Sequence, residues 1–99
     1  MAIKLNSSLR LIPTLRIEKL SSDLYRGRIH DDRELLGEIY QPSIADVICE
    51  AAKEFQPAPQ AFNIYYGPVS VGTIIRDRMM YDAETYAHRL VMLDALLTK

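Results

Sequence analysis

Residues 14–40 read TLRIEKLSSDLYRGRIHDDRELLGEIY, and apolar and polar side chains alternate along them. Leu15 and Ile17 share one face of a strand and the charged residues beside them share the other, because successive strand side chains point to opposite faces. The alternation returns in LYRGRIH and LLGEIY, after turn-forming residues at 21–23 and 31–32. This stretch predicts a three-stranded antiparallel meander.

The periodicity then becomes helical. Ser43 can cap a helix, since Asp46 stands three residues on, and apolar residues follow with the spacing of a single helical stripe. The prolines of QPAPQ at 56–60 end this helix. AFNIYY and VSVGTII predict a second hairpin around Gly67, and Asp82 begins the final helix.

These elements predict an α+β fold with a single antiparallel sheet, in the order βββαββα, and two helices packed on one face. The 99 residues form a single domain, 1–99, because a chain of this length leaves no room for a second core. Residues 1–13 are either loose or an edge strand, since alternation is poor there and Pro13 cannot donate a ladder hydrogen bond.

Composition favours a soluble globular protein, with 48% hydrophobic and 25% charged residues. Cys49 is the single cysteine, which excludes an intramolecular disulfide. No stretch has the form of a signal peptide or approaches the roughly 20 apolar residues of a membrane span, so a cytoplasmic location with no membrane partner is predicted. The net charge of −1 gives no global attraction to nucleic acid, although residues 1–30 hold six basic and two acidic residues.

The glycine-rich stretch GPVSVGT, residues 67–73, raises the question of a phosphate-binding loop. A P-loop reads G-x-x-x-x-G-K-[ST] and opens a helix, because its lysine must reach the outer phosphates. Here Thr73 follows Gly72 directly, and the sequence around them favours a strand. Gly67–Pro68 is therefore predicted to be a turn, and Gly72 either a bulge or a close-packing site.

Few residues are candidates for a catalytic or metal-binding role. His30, Asp31 and Asp32 form the densest group of metal ligands or acid–base side chains, but no pattern supplies further ligands, which favours a polar hairpin turn. Cys49 lies beside an apolar helical stripe and has no paired histidine, so it is interpreted as a small hydrophobe. The prediction is a protein that is not an enzyme, with no catalytic, cofactor-binding or metal-binding residue and no small-molecule substrate.

Two surfaces carry the functional hypotheses. The final helix is apolar over an arc wide enough to pack on both the sheet and a second chain. RDRMMY at 76–81 has a composition enriched in protein interfaces, or else forms an extra helical turn on the core. The leading hypothesis is a small non-catalytic protein–protein interaction module, such as an adaptor, inhibitor or regulatory subunit, that binds another protein or forms a homodimer. Its predicted interface residues are Arg76, Arg78, Met79, Met80, Tyr81, Met92, Leu96 and Leu97.

The alternative is a nucleic-acid-binding module that uses the basic face of the meander. Its predicted phosphate contacts are Arg16, Lys19, Arg26 and Arg28. A simpler reading is a solvated face on which glutamates of neighbouring strands pair with the arginines. The sequence predicts no aromatic platform for stacking bases on this face.

Overall fold

The computed structural model describes residues 12–55 and 58–97, which form five strands and three helices. The α+β class is therefore confirmed, and the observed order within the described residues is βββαββαα. The elements are β1 (Thr14–Ser21), β2 (Leu24–Asp31), β3 (Glu34–Gln41), α1 (Ile44–Glu54), β4 (Ala61–Tyr66), β5 (Val69–Ile75), α2 (Arg76–Tyr81) and α3 (Ala83–Leu97).

The sheet has the strand order β3-β2-β1-β4-β5. The antiparallel meander β1–β2–β3 and the antiparallel β4–β5 hairpin agree with the sequence pattern. The prediction of a wholly antiparallel sheet is wrong, because β4 pairs with β1 in parallel. A helix between two strands returns the chain to the end where the first strand began, so β4 runs in the direction of β3 and hence of β1.

The predicted order also lacked α2, the helix over residues 76–81. RDRMMY forms the extra turn of helix that one of its two interpretations predicts, and the predicted protein contact of these residues stays a prediction. Met79 is fully buried, and Arg76 Nε donates a hydrogen bond to the carbonyl of Ala52 in α1 at 2.9 Å. This segment thus packs on the core before the chain enters α3.

α1 forms for the local reasons that its sequence indicates. The Ser43 hydroxyl oxygen accepts a hydrogen bond from the backbone N–H of Asp46 at 3.1 Å, which satisfies one of the free donors of the first turn. One face of α1 is buried, and it crosses β2 where Gly27 leaves room for Val47. A Cβ at Gly27 would lie 2.5 Å from Cγ1 of Val47, so the missing side chain sets the distance between helix and sheet.

The core lies on one side of the sheet, between its apolar face and the helices. Leu15, Ile17 and Ile29 project into it from the meander, and Phe62 and Ile64 do so from β4. The helices contribute Val47, Ile48, Ala51, Met79, Ala83, Ala87 and Leu90. Within the described part of the chain, no helix is both long and apolar enough to cross a membrane.

β1 is a central strand, flanked by β2 and β4. Most of the segment 1–13 lies outside the described residues, so the prediction made for it stays a prediction except at its end. The carbonyl of Pro13 accepts a hydrogen bond from the N–H of Asn63 at 2.9 Å, so the interior ladder between β1 and β4 begins at this proline.

GPVSVGT forms the predicted hairpin turn, and of the two alternatives predicted for Gly72 the β-bulge is the one found. Gly67 has a φ of +56° in the two-residue turn, and Gly72 has a φ of +85° beside the bulge, conformations that side chains other than glycine rarely adopt. The strand register shifts between Ile64 and the next residue, so that β5 holds one extra residue. Ser70 Oγ stabilises the bulge by donating to the Ile64 carbonyl and accepting from the Gly72 N–H, both at 2.8 Å.

Candidate functional site

The strand side chains that point away from the helices form the open face of the sheet. Within residues 12–55 and 58–97, no helix covers this face. Its charged and aromatic members are Arg16, Glu18, Arg26, Arg28, His30, Glu38, Tyr40 and Tyr65. Three of the four predicted nucleic-acid contacts are therefore on one face, whereas alternation along β1 directs Lys19 to the other side.

Two arginines of the open face form cross-strand ion pairs. Arg26 pairs with Glu18, and Arg28 Nε donates to Glu38 Oε2 at 3.0 Å. The hydrogen bond from Arg26 to Glu18 raises the pKa of Arg26 above its usual value. The cross-strand pairing inferred from the sequence is thus present, and exposed pairs of this kind contribute little to stability.

Arg16 has a different environment. It lies directly opposite Arg28 in the β1–β2 ladder, and among the described residues it forms no ion pair. On its other side the parallel ladder pairs it with Tyr65, and the Arg16 guanidinium carbon lies 4.7 Å from the centre of that ring. Tyr65 is not among the contacts predicted from the sequence, although the alternation in AFNIYY separates it from the buried Ile64.

A groove of about 460 Å³ runs from the open face around the end of β4. It begins where β1 continues past Ile17, the last residue of β1 that pairs with β4. Its basic and acidic side chains are Arg16, Lys19, Arg28, His30, Glu18 and Asp94. The groove therefore brings Lys19 together with Arg16 and Arg28, and Arg26 is the predicted contact that does not line it. Tyr66 also lines the groove, and burial raises the pKa of its phenol, with smaller contributions from Tyr25 and Asp94.

The second candidate surface is the C-terminal half of α3. The first half of this helix buries Ala83, Ala87 and Leu90. Asp94 lines the groove with Tyr66 and Gly67, so the last turn of α3 extends past the end of β4. Beyond that point the apolar side chains lose their cover, and Leu96 and Leu97 are 65% and 63% exposed.

The β1–β2 hairpin extends past β4 at the same end of the molecule. Its residues Ser22 and Tyr25 line a groove of about 340 Å³ together with Ala87 and Val91 of α3. We call this region the hairpin–helix end. It contains seven of the twelve exposed large hydrophobic residues of the described chain: Leu20, Leu24, Val91, Met92, Leu93, Leu96 and Leu97.

The predicted interface residues of α2 do not join this surface. α2 precedes the start of α3, and the 15 residues of α3 span about 22 Å. The side chain of Arg76 binds a carbonyl of α1, Arg78 pairs with Asp82 at 3.0 Å, and Met79 is in the core. Met80 is half buried, and Tyr81 is 82% exposed. Of the eight predicted interface residues, Met92, Leu96 and Leu97 are at the hairpin–helix end.

The His30–Asp31–Asp32 group lies at the junction of β2 and the turn to β3, with Asp32 at a φ of 60°. Between residues 12 and 97, leaving aside 56 and 57, no three side chains of His, Cys, Asp or Glu are placed to hold a metal ion. The Nδ1 atom of His30 is buried and has no hydrogen-bond partner among the described residues.

The chain matches no protein-family model, no curated protein and no solved structure.

Proposed function

We propose that this protein is a non-catalytic protein–protein interaction module that forms a homodimer through the hairpin–helix end. The observation that carries the proposal is the exposure of Val91, Met92, Leu93, Leu96 and Leu97 around the last turns of α3. A helix that is apolar on all sides is normally buried on all sides. The first half of α3 buries one face, with Ala83, Ala87 and Leu90, and exposes polar residues on the other. The second half exposes apolar residues, which a partner would cover.

The size of the apolar surface supports a specific contact. The five exposed apolar side chains of α3, Val91, Met92, Leu93, Leu96 and Leu97, together expose roughly 450 Å², within the range of the largest apolar patch on a typical monomer. A standard interface buries about 800 Å² on each partner. These side chains and their polar neighbours could therefore supply most of the area that one partner buries.

The shape and charge of this surface favour a second copy of the chain as the partner. A twofold contact requires one patch to carry both members of each complementary pair. Here the projecting end of α3 lies beside the groove lined by Ser22 and Tyr25, so one patch offers both an apolar projection and a recess that could receive it. The formal charge of −1 keeps the repulsion between two chains small.

Leu96→Lys tests the contact, because Leu96 is largely exposed in the monomer and the change leaves the core intact. Burying a leucine is worth about 1.5–3 kcal/mol, of which the exposed part of Leu96 represents about 1–2 kcal/mol. A symmetric dimer loses this contribution twice, so its dissociation constant should rise about 30- to 700-fold. Sedimentation velocity over a wide range of protein concentrations measures the change.

Leu35→Lys is the matched control, since it makes the same substitution at an exposed leucine on the edge strand β3. It should leave the dissociation constant within about twofold. A wild-type chain that stays monomeric at the highest concentration would contradict the proposal. A dimer that Leu96→Lys and Met92→Lys leave unchanged would contradict it as well.

A further inference from the structure

Two arginines on the open face, Arg16 and Arg28, carry like charges in neighbouring strands. Arg16 and Arg28 are direct partners in the β1–β2 ladder, and like charges in directly opposed positions destabilise an antiparallel pair. Glu38 offsets the charge of Arg28 from the far side, at 3.0 Å. Arg16 has no such partner among the described residues. An anion placed between the two guanidinium groups would remove this repulsion.

Arginine is well suited to one kind of anion. Its planar guanidinium presents several N–H donors that match the oxygens of a phosphate, and such charge-assisted hydrogen bonds are among the stronger ones in proteins. The Arg16 side chain is exposed, so its donors can be reached from solvent.

Tyr65 adds a planar surface beside the charge. It holds the Arg16 guanidinium over its ring, with 4.7 Å between the guanidinium carbon and the ring centre. Nucleic-acid bases stack both on tyrosine rings and on arginine guanidinium planes. The Arg16–Tyr65 stack therefore offers a flat surface for a base next to the donors for its phosphate.

The groove that Arg16 and Arg28 line has the dimensions of a ligand site, and Tyr65 contacts Arg16 without lining the groove itself. Its volume of about 460 Å³ falls in the range of roughly 300–1,000 Å³ that small-molecule sites occupy. Arg16, Lys19 and Arg28 give it three fixed positive charges, and Glu18 and Asp94 are its acidic residues.

We propose that this groove binds a nucleotide, either free or as one unit of a single strand. The phosphate lies between Arg16 and Arg28, and the base lies against the Arg16–Tyr65 stack. This site does not depend on the proposed homodimer, because Arg16, Arg28 and Tyr65 are on the open face and outside the hairpin–helix end.

Two titrations at low salt separate the sources of the nucleotide. Fluorescence anisotropy with a labelled single-stranded oligonucleotide tests binding of a strand, and calorimetry with a nucleoside monophosphate tests binding of a free nucleotide. Inorganic phosphate at the same ionic strength is the third probe. We expect either nucleotide form to bind more tightly than phosphate, and the affinity of the oligonucleotide to fall steeply as salt is added.

Three variants locate the site. Arg16→Ala should weaken binding by at least about tenfold, since a hydrogen bond to a charged group contributes about 1.5–3 kcal/mol. Arg16→Lys keeps the charge and loses the planar stack, so it should fall between Arg16→Ala and the wild type. Arg33→Ala removes an exposed arginine in the β2–β3 turn, away from the groove, and should leave the affinity unchanged.

Absence of binding by both nucleotide forms at low salt would overturn the proposal. Equal losses in Arg16→Ala and Arg33→Ala would overturn it too, because they would indicate a diffuse effect of charge. Binding of inorganic phosphate as tight as that of the nucleotides would refute the role of the base. Repeating the titrations with Leu96→Lys keeps this result separate from that of the dimer, since this change leaves the open face intact.

Discussion

Replacing Gly27 with alanine tests how closely α1 approaches the sheet. A Cβ at this position would lie 2.5 Å from Cγ1 of Val47 and 3.1 Å from Cδ1 of Leu15. Carbon atoms in contact are normally about 3.5–4.0 Å apart, so either α1 moves by about 1 Å or Val47 changes rotamer. Val47 is fully buried, and valine in a helix strongly prefers one χ1 rotamer, so both responses cost free energy.

The size of the effect follows from two opposing contributions. Overpacking a core typically costs about 1–3 kcal/mol. Alanine recovers about 0.5–1 kcal/mol relative to glycine, because the unfolded chain has less conformational freedom to lose. We therefore expect Gly27→Ala to lower the free energy of unfolding by about 1–2 kcal/mol, which corresponds to a fall in Tm of roughly 5–15 °C for a domain of this size.

Urea unfolding followed by circular dichroism, at one fixed protein concentration, measures this change. Gly37→Ala is the matched control on the neighbouring strand, since the nearest atom to a Cβ there is 3.8 Å away, an ordinary contact distance. Val47→Ala removes the atom that a Cβ at Gly27 would meet, so Gly27→Ala should cost less in the Val47→Ala background than in the wild type, with a coupling free energy of at least about 1 kcal/mol. A Gly27→Ala protein as stable as the wild type, or strictly additive effects of the two changes, would refute this account of the packing.

Two further predictions concern single side chains. Ser43→Ala removes the acceptor for the Asp46 N–H at the start of α1 and should lower the free energy of unfolding by about 1 kcal/mol, measured by the same urea titration; no change would show that this cap is dispensable. Burial raises the pKa of Tyr66 above its usual value of 10.0, so Tyr66 ionises first in the unfolded chain and the free energy of unfolding should fall as the pH rises above that value. Tyr66→Phe should make this decline shallower in urea titrations at increasing alkaline pH, and an unchanged slope would contradict the assignment.

Local sequence signals predicted the individual elements well. The meander follows from alternation over residues 14–40 with turn residues between the runs, and α1 follows from the Ser43 cap and its apolar stripe. The turn at Gly67 and the bulge beside Gly72 follow from the need of glycine for positive φ. Each of these features depends on contacts between residues that are close in sequence, so the pattern itself contains the information.

The sequence contains the information for the parallel direction of β4, although the predicted sheet was wholly antiparallel. A strand–helix–strand connection makes the two strands parallel, and the sequence already indicated α1 between β3 and β4. The sequence of α2 supports two interpretations equally, because six residues are too few to display a helical period clearly. Its burial depends on contacts with α1, which are distant along the chain.

By itself, the sequence determined which residues alternate along strands, where turns and caps stand, and that α3 is apolar around most of its circumference. Only the tertiary structure decided what covers each apolar or charged face. It places β4 beside β1, which brings Tyr65 next to Arg16, and it carries α3 past the end of β4, which leaves Leu97 exposed while Leu90 is buried. The physical reason is that periodicity fixes the direction of a side chain relative to its own element, whereas burial depends on which distant elements pack against it.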